Sequence, residues 1–234
     1  MKRILLVFLG VAMAVTVVYA QSQVLSRNAV GYVRVDMLRG NYALVRLDFE
    51  NISGANGGCL AVSNVLNDVP TNTLVYLWDY VNQTYKSPIQ KSARGTWGSG
   101  GSNLICRGDA VFVKIAGDVA SNSNPVYIMG EVPDRFTAPT TEVFNLKAGM
   151  NMVGYAYPLE LPFLSTALSS NIPNSSLLYV FNPVITNYDT PYQKSARGAW
   201  DAVTTNLIMR PGMGVWVRTT QLWNYVEGKP YTWP

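Results

Sequence analysis

Apolar residues along this chain alternate with polar ones over short stretches, and turn residues interrupt each stretch before a long helix could form. Between residues 30 and 37, Val30, Tyr32, Val33, Val35 and Met37 surround Arg34 and Asp36, which is the signature of a half-buried strand. Leu38-Arg39-Gly40-Asn41 predicts a turn and residues 42–49 the next strand. The Asn-, Ser- and Gly-rich stretch 51–58 predicts a loop. Residues 73–79 predict a strand that turns near Val81-Asn82-Gln83 into another around Tyr85, a hairpin. Residues 98–102 read as a flexible connection. Residues 104–106 and 111–115 read as a strand pair, and 126–132 as a closing strand. Residues 59–66 lack this alternation. Their counterpart, 162–168, predicts a short helix of one or two turns, ending before Ile172-Pro173 because the residue preceding proline resists the α conformation.

The order of elements is written twice. Gln90-Lys91-Ser92-Ala93-Arg94-Gly95 returns as Gln193-Lys194-Ser195-Ala196-Arg197-Gly198. At the same offset Val69-Pro70 matches Ile172-Pro173, Tyr76 matches Tyr179, Trp78 matches Phe181, Tyr85 matches Tyr188, and Trp97 matches Trp200. Asn103-Leu104-Ile105 matches Asn206-Leu207-Ile208, which sets Met209 against Cys106. After one extra residue Gly108 matches Gly212, and Val111-Phe112-Val113-Lys114 matches Val215-Trp216-Val217-Arg218. One offset held over so many positions marks a duplication. The predicted fold class is all-β: two tandem β-sandwich or roll units, each with about six short strands and one short helix. The first unit spans 21–136. The second spans 137–234 and ends in an aromatic tail. Residues 134–141, flanked by Pro133 and containing Pro139, form the linker.

Residues 1–20 read as a secretory signal peptide. Lys2-Arg3 form its positive end, 4–18 its apolar run, and Val18 and Ala20 the small-residue positions before a cut. No membrane span is predicted after its removal. The location expected is secreted: extracellular, cell-surface or periplasmic. Without Lys2 and Arg3, 16 basic residues face 14 acidic ones. That balance is too small for a nucleic-acid footprint. Charged residues make up only 14% of the chain, against roughly 25% in a normal soluble domain, which suits an aromatic-rich extracellular β protein. Cys59 and Cys106 are the only cysteines, both in the first unit. An even pair in a secreted chain predicts a local disulfide.

The order Ala29-Val30-Gly31-Tyr32-Val33-Arg34-Val35, a glycine turn, Val-Pro, Tyr-x-Trp, Gly-x-x-Val-Phe-Val and Gly130-Glu131-Val132-Pro133 resembles a group of uncharacterised secreted two-repeat β proteins of environmental Gram-negative bacteria. The resemblance covers essentially the whole chain after the leader. It departs at Asn41-Tyr42-Ala43-Leu44-Val45, where that group more often shows a Gly-Phe-Ser-Leu string. It implies a location and an architecture, with no activity and no catalytic residues.

The chain contains no histidine. Ser-His-Asp, Cys-His and His-zinc sites are thereby excluded. A carboxylate pair of the glycosidase type would have to come from Asp48, Glu50, Asp79, Glu131, Glu142, Glu160 and Asp201, few of which recur between units. The expectation is no catalytic residue, no metal and no cofactor. Arg107-Gly108-Asp109 spells an adhesive tripeptide, but a turn before a strand wants glycine anyway. Two binding candidates remain. One is a repeated surface patch, Lys91, Arg94, Trp97 and Lys194, Arg197, Trp200, suited to stacking on sugars; the structural alternative has Arg covering Trp and Lys solvated. The other is an assembly tail, Tyr231, Thr232, Trp233 and Pro234, which with the 21–28 arm could add strands to open sheet edges of a neighbour or fold back on its own unit. The function expected is a non-enzymatic structural protein whose partners are copies of itself. The alternative is a carbohydrate-binding module whose partner is extracellular polysaccharide.

Overall fold

Strands form where the apolar runs predict them, but they are shorter and more numerous. The structure is a computed structural model and describes residues 30–38, 40–51, 55–117, 123–133 and 141–231. The leader, the 21–28 arm, residues 134–140 of the linker, and Thr232, Trp233 and Pro234 lie outside the described residues. In the first unit the strands are β1 (Val30–Leu38), β2 (Tyr42–Arg46), β3 (Leu60–Ala61), β4 (Leu74–Tyr76), β5 (Trp78–Asp79), β6 (Thr84–Tyr85), β7 (Ile89–Gln90), β8 (Leu104–Ile105), β9 (Ala110–Lys114) and β10 (Ser123–Glu131). One short helix, α1 (Val62–Val65), follows β3. The second unit replays the series as β11 (Thr141–Leu146), β12 (Gly149–Gly154), β13 (Leu161–Pro162), β14 (Leu177–Tyr179), β15 (Phe181–Asn182), β16 (Asn187–Tyr188), β17 (Tyr192–Gln193), β18 (Ile208–Met209), β19 (Gly214–Thr219) and β20 (Trp223–Gly228), with α2 (Ala167–Asn171) after β13.

The fold is therefore mostly β, in two similar halves. Each half holds one four-stranded antiparallel sheet, β2-β9-β4-β7 and β12-β19-β14-β17, and three two-stranded pairs. The first and last strands of each half pair with each other as a ribbon, β1 with β10 and β11 with β20. Among the described residues each half has ten strands, where about six were expected. Leu77 and Val180 interrupt the predicted long strands. The expected pair 104–106 with 111–115 does not form: β8 pairs with β3, and β9 with β2 and β4. A turn at Arg107-Gly108 carries the chain from one sheet to another.

Both faces of each four-stranded sheet are covered. Val45, Val75, Val111 and Val113 face the core of their own unit, as Val153, Leu178, Val215 and Val217 face theirs. The opposite faces meet each other: Leu44, Ala110 and Phe112 pack on Met152 and Trp216. The contact has an approximate twofold character. Val45 bridges Met213 while its equivalent Val153 bridges Asp109. Arg46 N–H donates to Gly212 O and Gly154 N–H to Gly108 O, both at 3.0 Å. Each hairpin also reaches over the other unit: Trp78 Nε1 and Tyr80 Oη donate to Met150 O and Met152 O, and Asn41 Nδ2 donates to Pro183 O.

On the axis between the units the symmetry breaks. Where the second unit has Gly154, the first has Arg46, fully buried and ion-paired with buried Asp48. Arg46 also donates to Tyr157 O at 3.2 Å. A Cβ at Gly154 would collide with the Arg46 side chain. The interface thus has room for one side chain on the axis, and glycine on one strand makes the space for arginine on the other.

Ladder register also corrects the alignment of the repeats. Leu60 pairs with Ile105 as Leu161 pairs with Met209, so Ile105 and Met209 are equivalent. The extra residue lies earlier, in the 3-10 turn, which spans Ser99–Ser102 in one unit and the longer Ala202–Asn206 in the other. Cys106 therefore corresponds to Arg210, and Cys59 to Glu160. Cys59 and Cys106 form a disulfide, and Glu160 and Arg210 form an ion pair at 3.6 Å in the same place. The two units close the same point with different chemistry.

Candidate functional site

The repeated string builds a turn over the end of the short helix. Ser92 N–H donates to Thr96 O and Gly95 N–H to Ser92 O, matched by Ser195 to Ala199 and Gly198 to Ser195. Gly95 and Gly198 have φ of 82° and 86°, a left-handed conformation that costs a residue with a Cβ. This turn folds Lys91 back against Trp97 and Lys194 against Trp200, each pair joined by a β-bridge. Each ammonium lies 5.9 Å from its indole centroid.

The lysines are inside, which corrects their placement at the surface in both readings of the patch. Lys91 and Lys194 are buried. Lys91 Nζ donates to Asn67 O and Val69 O at 2.6 and 2.9 Å. Lys194 Nζ donates to Ser169 O, Ser170 O and Ile172 O at 3.1, 2.9 and 2.7 Å. These carbonyls follow or end the short helix, where a helix leaves acceptors without partners and favours a cation. Burial lowers the Lys194 pKa. Trp97 and Trp200 are half-buried lids over the ammonium groups; Trp200 Nε1 donates to Ser169 O, and its ring packs on Phe163 at 5.0 Å. Arg94 and Arg197 alone of the six are exposed. Lysine as a type favours the surface, and the carbonyls converging from distant sequence, two on Lys91 and three on Lys194, outweigh that preference.

The glycines of 98–102 also serve packing, in a 3-10 turn. A Cβ at Gly101 would lie 2.6 Å from the Trp97 Cβ.

Tyr231, named for the assembly tail, is bound to its own chain. Its hydroxyl donates to Pro133 O at 2.8 Å, and its ring packs edge-on against Tyr157. The ribbon β1/β10 is more open. Val33, Met37, Val126 and Ile128 point into the core. On the outer face Tyr32 and Met129, direct cross-strand partners, are 70% and 57% exposed, and Tyr127 lies diagonal to Tyr32 with rings 6.1 Å apart. On β11/β20 the partners Val143 and Val226 are likewise exposed. β1 and β11 each have one hydrogen-bonded neighbour among the described residues. Beside Tyr32 an open cleft of about 700 Å³ runs between β1 and the second unit, lined by Val33, Phe49, Leu159, Pro211 and Tyr231 among others.

No protein-family model, curated protein or solved structure matches the chain.

The carboxylates named as a catalytic set are mostly engaged structurally. Asp48 pairs with Arg46 and accepts from Gly212 N. Glu50 pairs with Arg107 at 3.1 Å. Asp79 accepts from Val81 N–H and Asn82 N–H in its own turn, and hydrogen bonds from Asn82, then Val81, hold its pKa down. Asp201 caps the 3-10 turn through Thr204 N–H. Glu131 is buried, Glu160 pairs with Arg210, and the Glu142 side chain lies outside the description. Among the described residues no three His, Cys, Asp or Glu side chains gather as a metal site. Arg107 of the tripeptide is buried, 5.0 Å over the Tyr157 ring, which removes it from any surface display. Glu227 escaped sequence reasoning: it is buried on β20, and its carboxylate accepts from Ala167 N–H and Leu168 N–H at the start of α2. An acid on an alternating strand gives no local sign of a helix it will meet 59 residues away.

The disulfide is the redox signature of an oxidising compartment. Among the described residues no helix is long and apolar enough to cross a membrane.

Proposed function

We propose that the protein is a secreted structural subunit that assembles with copies of itself on or outside the cell. The observation that carries this reading is the outer face of β1/β10. Tyr32 on β1 and Tyr127 and Met129 on β10 form one apolar patch, on a ribbon whose β1 has no second hydrogen-bonded strand among the described residues, next to a largely apolar cleft. Exposed apolar patches of this kind mark contact surfaces, and unpaired strands accept a further strand. The second ribbon offers Val143 and Val226 on a similar face, so one molecule carries two joints. Two different joints on one subunit give a head-to-tail chain when the rotation between copies does not close. Leader removal places the subunit outside the cytoplasm, in keeping with its disulfide.

The joint is placed on the ribbons rather than on Tyr231, which is occupied within its own chain. Negative-stain microscopy and light scattering of residues 21–234 across concentration test the reading. Polymers or defined oligomers are expected, lost in Tyr32→Arg/Met129→Arg and kept in a chain ending at Tyr231. A monomer at all concentrations removes the basis of the reading. Assembly lost only on removing residues 232–234 moves the joint to the tail.

A further inference from the structure

The duplication supplies an internal comparison at the interface between units. Two corners there are equivalent by strand register: Phe112 faces Tyr76 as Trp216 faces Tyr179, and Trp78 pairs with Tyr85 as Phe181 pairs with Tyr188. In one corner the two central rings are indoles, Trp78 and Trp216, with centroids 4.8 Å apart. In the other both are phenyl rings, Phe181 and Phe112, at nearly the same spacing of 5.0 Å. Smaller rings at equal spacing fill less space. On that side an open pocket of about 330 Å³ remains, lined by Tyr42, Tyr76, Tyr85, Phe112, Phe181 and Tyr188.

We infer that this aromatic pocket binds one pyranose ring of a neutral polysaccharide. Its volume lies at the small end of ligand pockets, roughly 300–1,000 Å³, which suits a single ring rather than a larger group. A pyranose presents a C–H-rich face and a hydroxyl rim. The pocket offers the complement: ring faces for the first, and four phenols for the second. Tyr42 stands where the other unit has Met150, so this corner also gains a hydroxyl. A phenol is already an uncharged donor near neutral pH, and burial, the leading cause in each case, raises the pKa of Tyr76, Tyr85 and Tyr188 further. The hydroxyls pair within the pocket, Tyr76 with Tyr42 and Tyr85 with Tyr188. A phenol pair uses one of its two O–H donors, and a purely apolar occupant would desolvate the remaining hydrogen-bonding capacity that a sugar hydroxyl can meet. An aromatic cage for an organic cation is disfavoured by charge. The Lys114 ammonium sits 5.2 Å over the Tyr42 ring, and no carboxylate lines the pocket. The site is separate from the Trp97 and Trp200 turns and from the strand ribbons, so it stands whether or not the chain assembles.

The test is calorimetry and tyrosine-ring proton NMR of residues 21–234 with cellohexaose, xylohexaose, mannohexaose and laminarihexaose, each to about 5 mM, the range for a weak one-ring site. Tetramethylammonium serves as the cation probe. At least one oligosaccharide should bind saturably. Tyr85→Ala should weaken it at least about tenfold. Phe181→Trp, which rebuilds the filled corner, should do the same without moving the unfolding midpoint. Tyr76→Phe, which removes one hydroxyl and carries the test if the tryptophan variant does not fold, should weaken binding at least about threefold. Binding of none of the four, sugar binding that these variants leave intact, or tighter binding of tetramethylammonium than of any sugar would each overturn the inference.

Discussion

Replacing Lys194 with methionine separates a structural lysine from a surface one. The side chain keeps its unbranched apolar stem, ends one atom short, and loses three donors. Ser169 O retains the Trp200 indole as a donor. Ser170 is exposed, so its carbonyl can take water. Ile172 O is the buried acceptor whose bond to Lys194, at 2.7 Å, is the shortest of the three. A buried group left unsatisfied costs about 1–3 kcal/mol, and a hydrogen bond to a charged donor is worth about 1.5–3 kcal/mol. Methionine recovers part of this by not burying an ammonium. The net expectation is a loss of about 2–3 kcal/mol, or a urea midpoint about 1 M lower for an m-value near 2–3 kcal/mol/M. Lys91→Met should fall similarly, because its two carbonyls have no indole bond in reserve. Arg197→Met, three residues away on the exposed corner of the turn, should stay within about 0.5 kcal/mol. Urea unfolding followed by tryptophan fluorescence measures all three. A Lys194→Met midpoint equal to that of Arg197→Met would refute the capping account.

The remaining expectations concern the axis, the staple and one buried acid. Gly154→Ala should cost about 1–3 kcal/mol by overpacking against Arg46, read as a lower unfolding midpoint. Reduction of Cys59–Cys106, which spans 47 residues, should cost about 4 kcal/mol in the chain-entropy account. Replacing both Glu160 and Arg210 with Ala, an exposed pair, should cost no more than about 1 kcal/mol. Urea titrations with and without reductant compare the two. The Glu227 pKa is raised, by burial first and against its two backbone hydrogen bonds. The folded state therefore holds a proton that the unfolded state has released between the ordinary Glu value and the raised one, and stability from this group falls as pH rises through that window. Glu227→Gln should accordingly be more stable than the parent near neutral pH. The gap should close once the pH is low enough to protonate Glu227, as thermal melts from pH 4 to 8 would record. A gap that widens toward acid would reverse the assignment.

Two short helices, two hairpins and the duplication were legible because each rests on neighbouring residues: alternation, turn glycines, a proline after the helix. The candidate patch was legible only as a string. Nothing near Lys91 or Lys194 in the chain announces the carbonyls 22 to 25 residues earlier that draw the ammonium inside. One signal was available and indicates more than a strand. Tyr42-Ala43-Leu44-Val45 and Ala110-Val111-Phe112-Val113 are apolar without a break, as strands buried on both faces are. They told of a second covering layer without saying that the other copy supplies it.

The sequence by itself determined a twice-written, mostly β chain, because periodicity, turn residues and self-similarity are local or internal properties. Which strands pair, where the extra residue falls, and how the disulfide in one unit answers an ion pair in the other were decided by tertiary structure. So were the single arginine at the axis and the pocket that two phenylalanines leave open. Each of these depends on groups far apart in sequence competing for one volume, one hydrogen bond or one charge, and that competition exists only once the two units have packed.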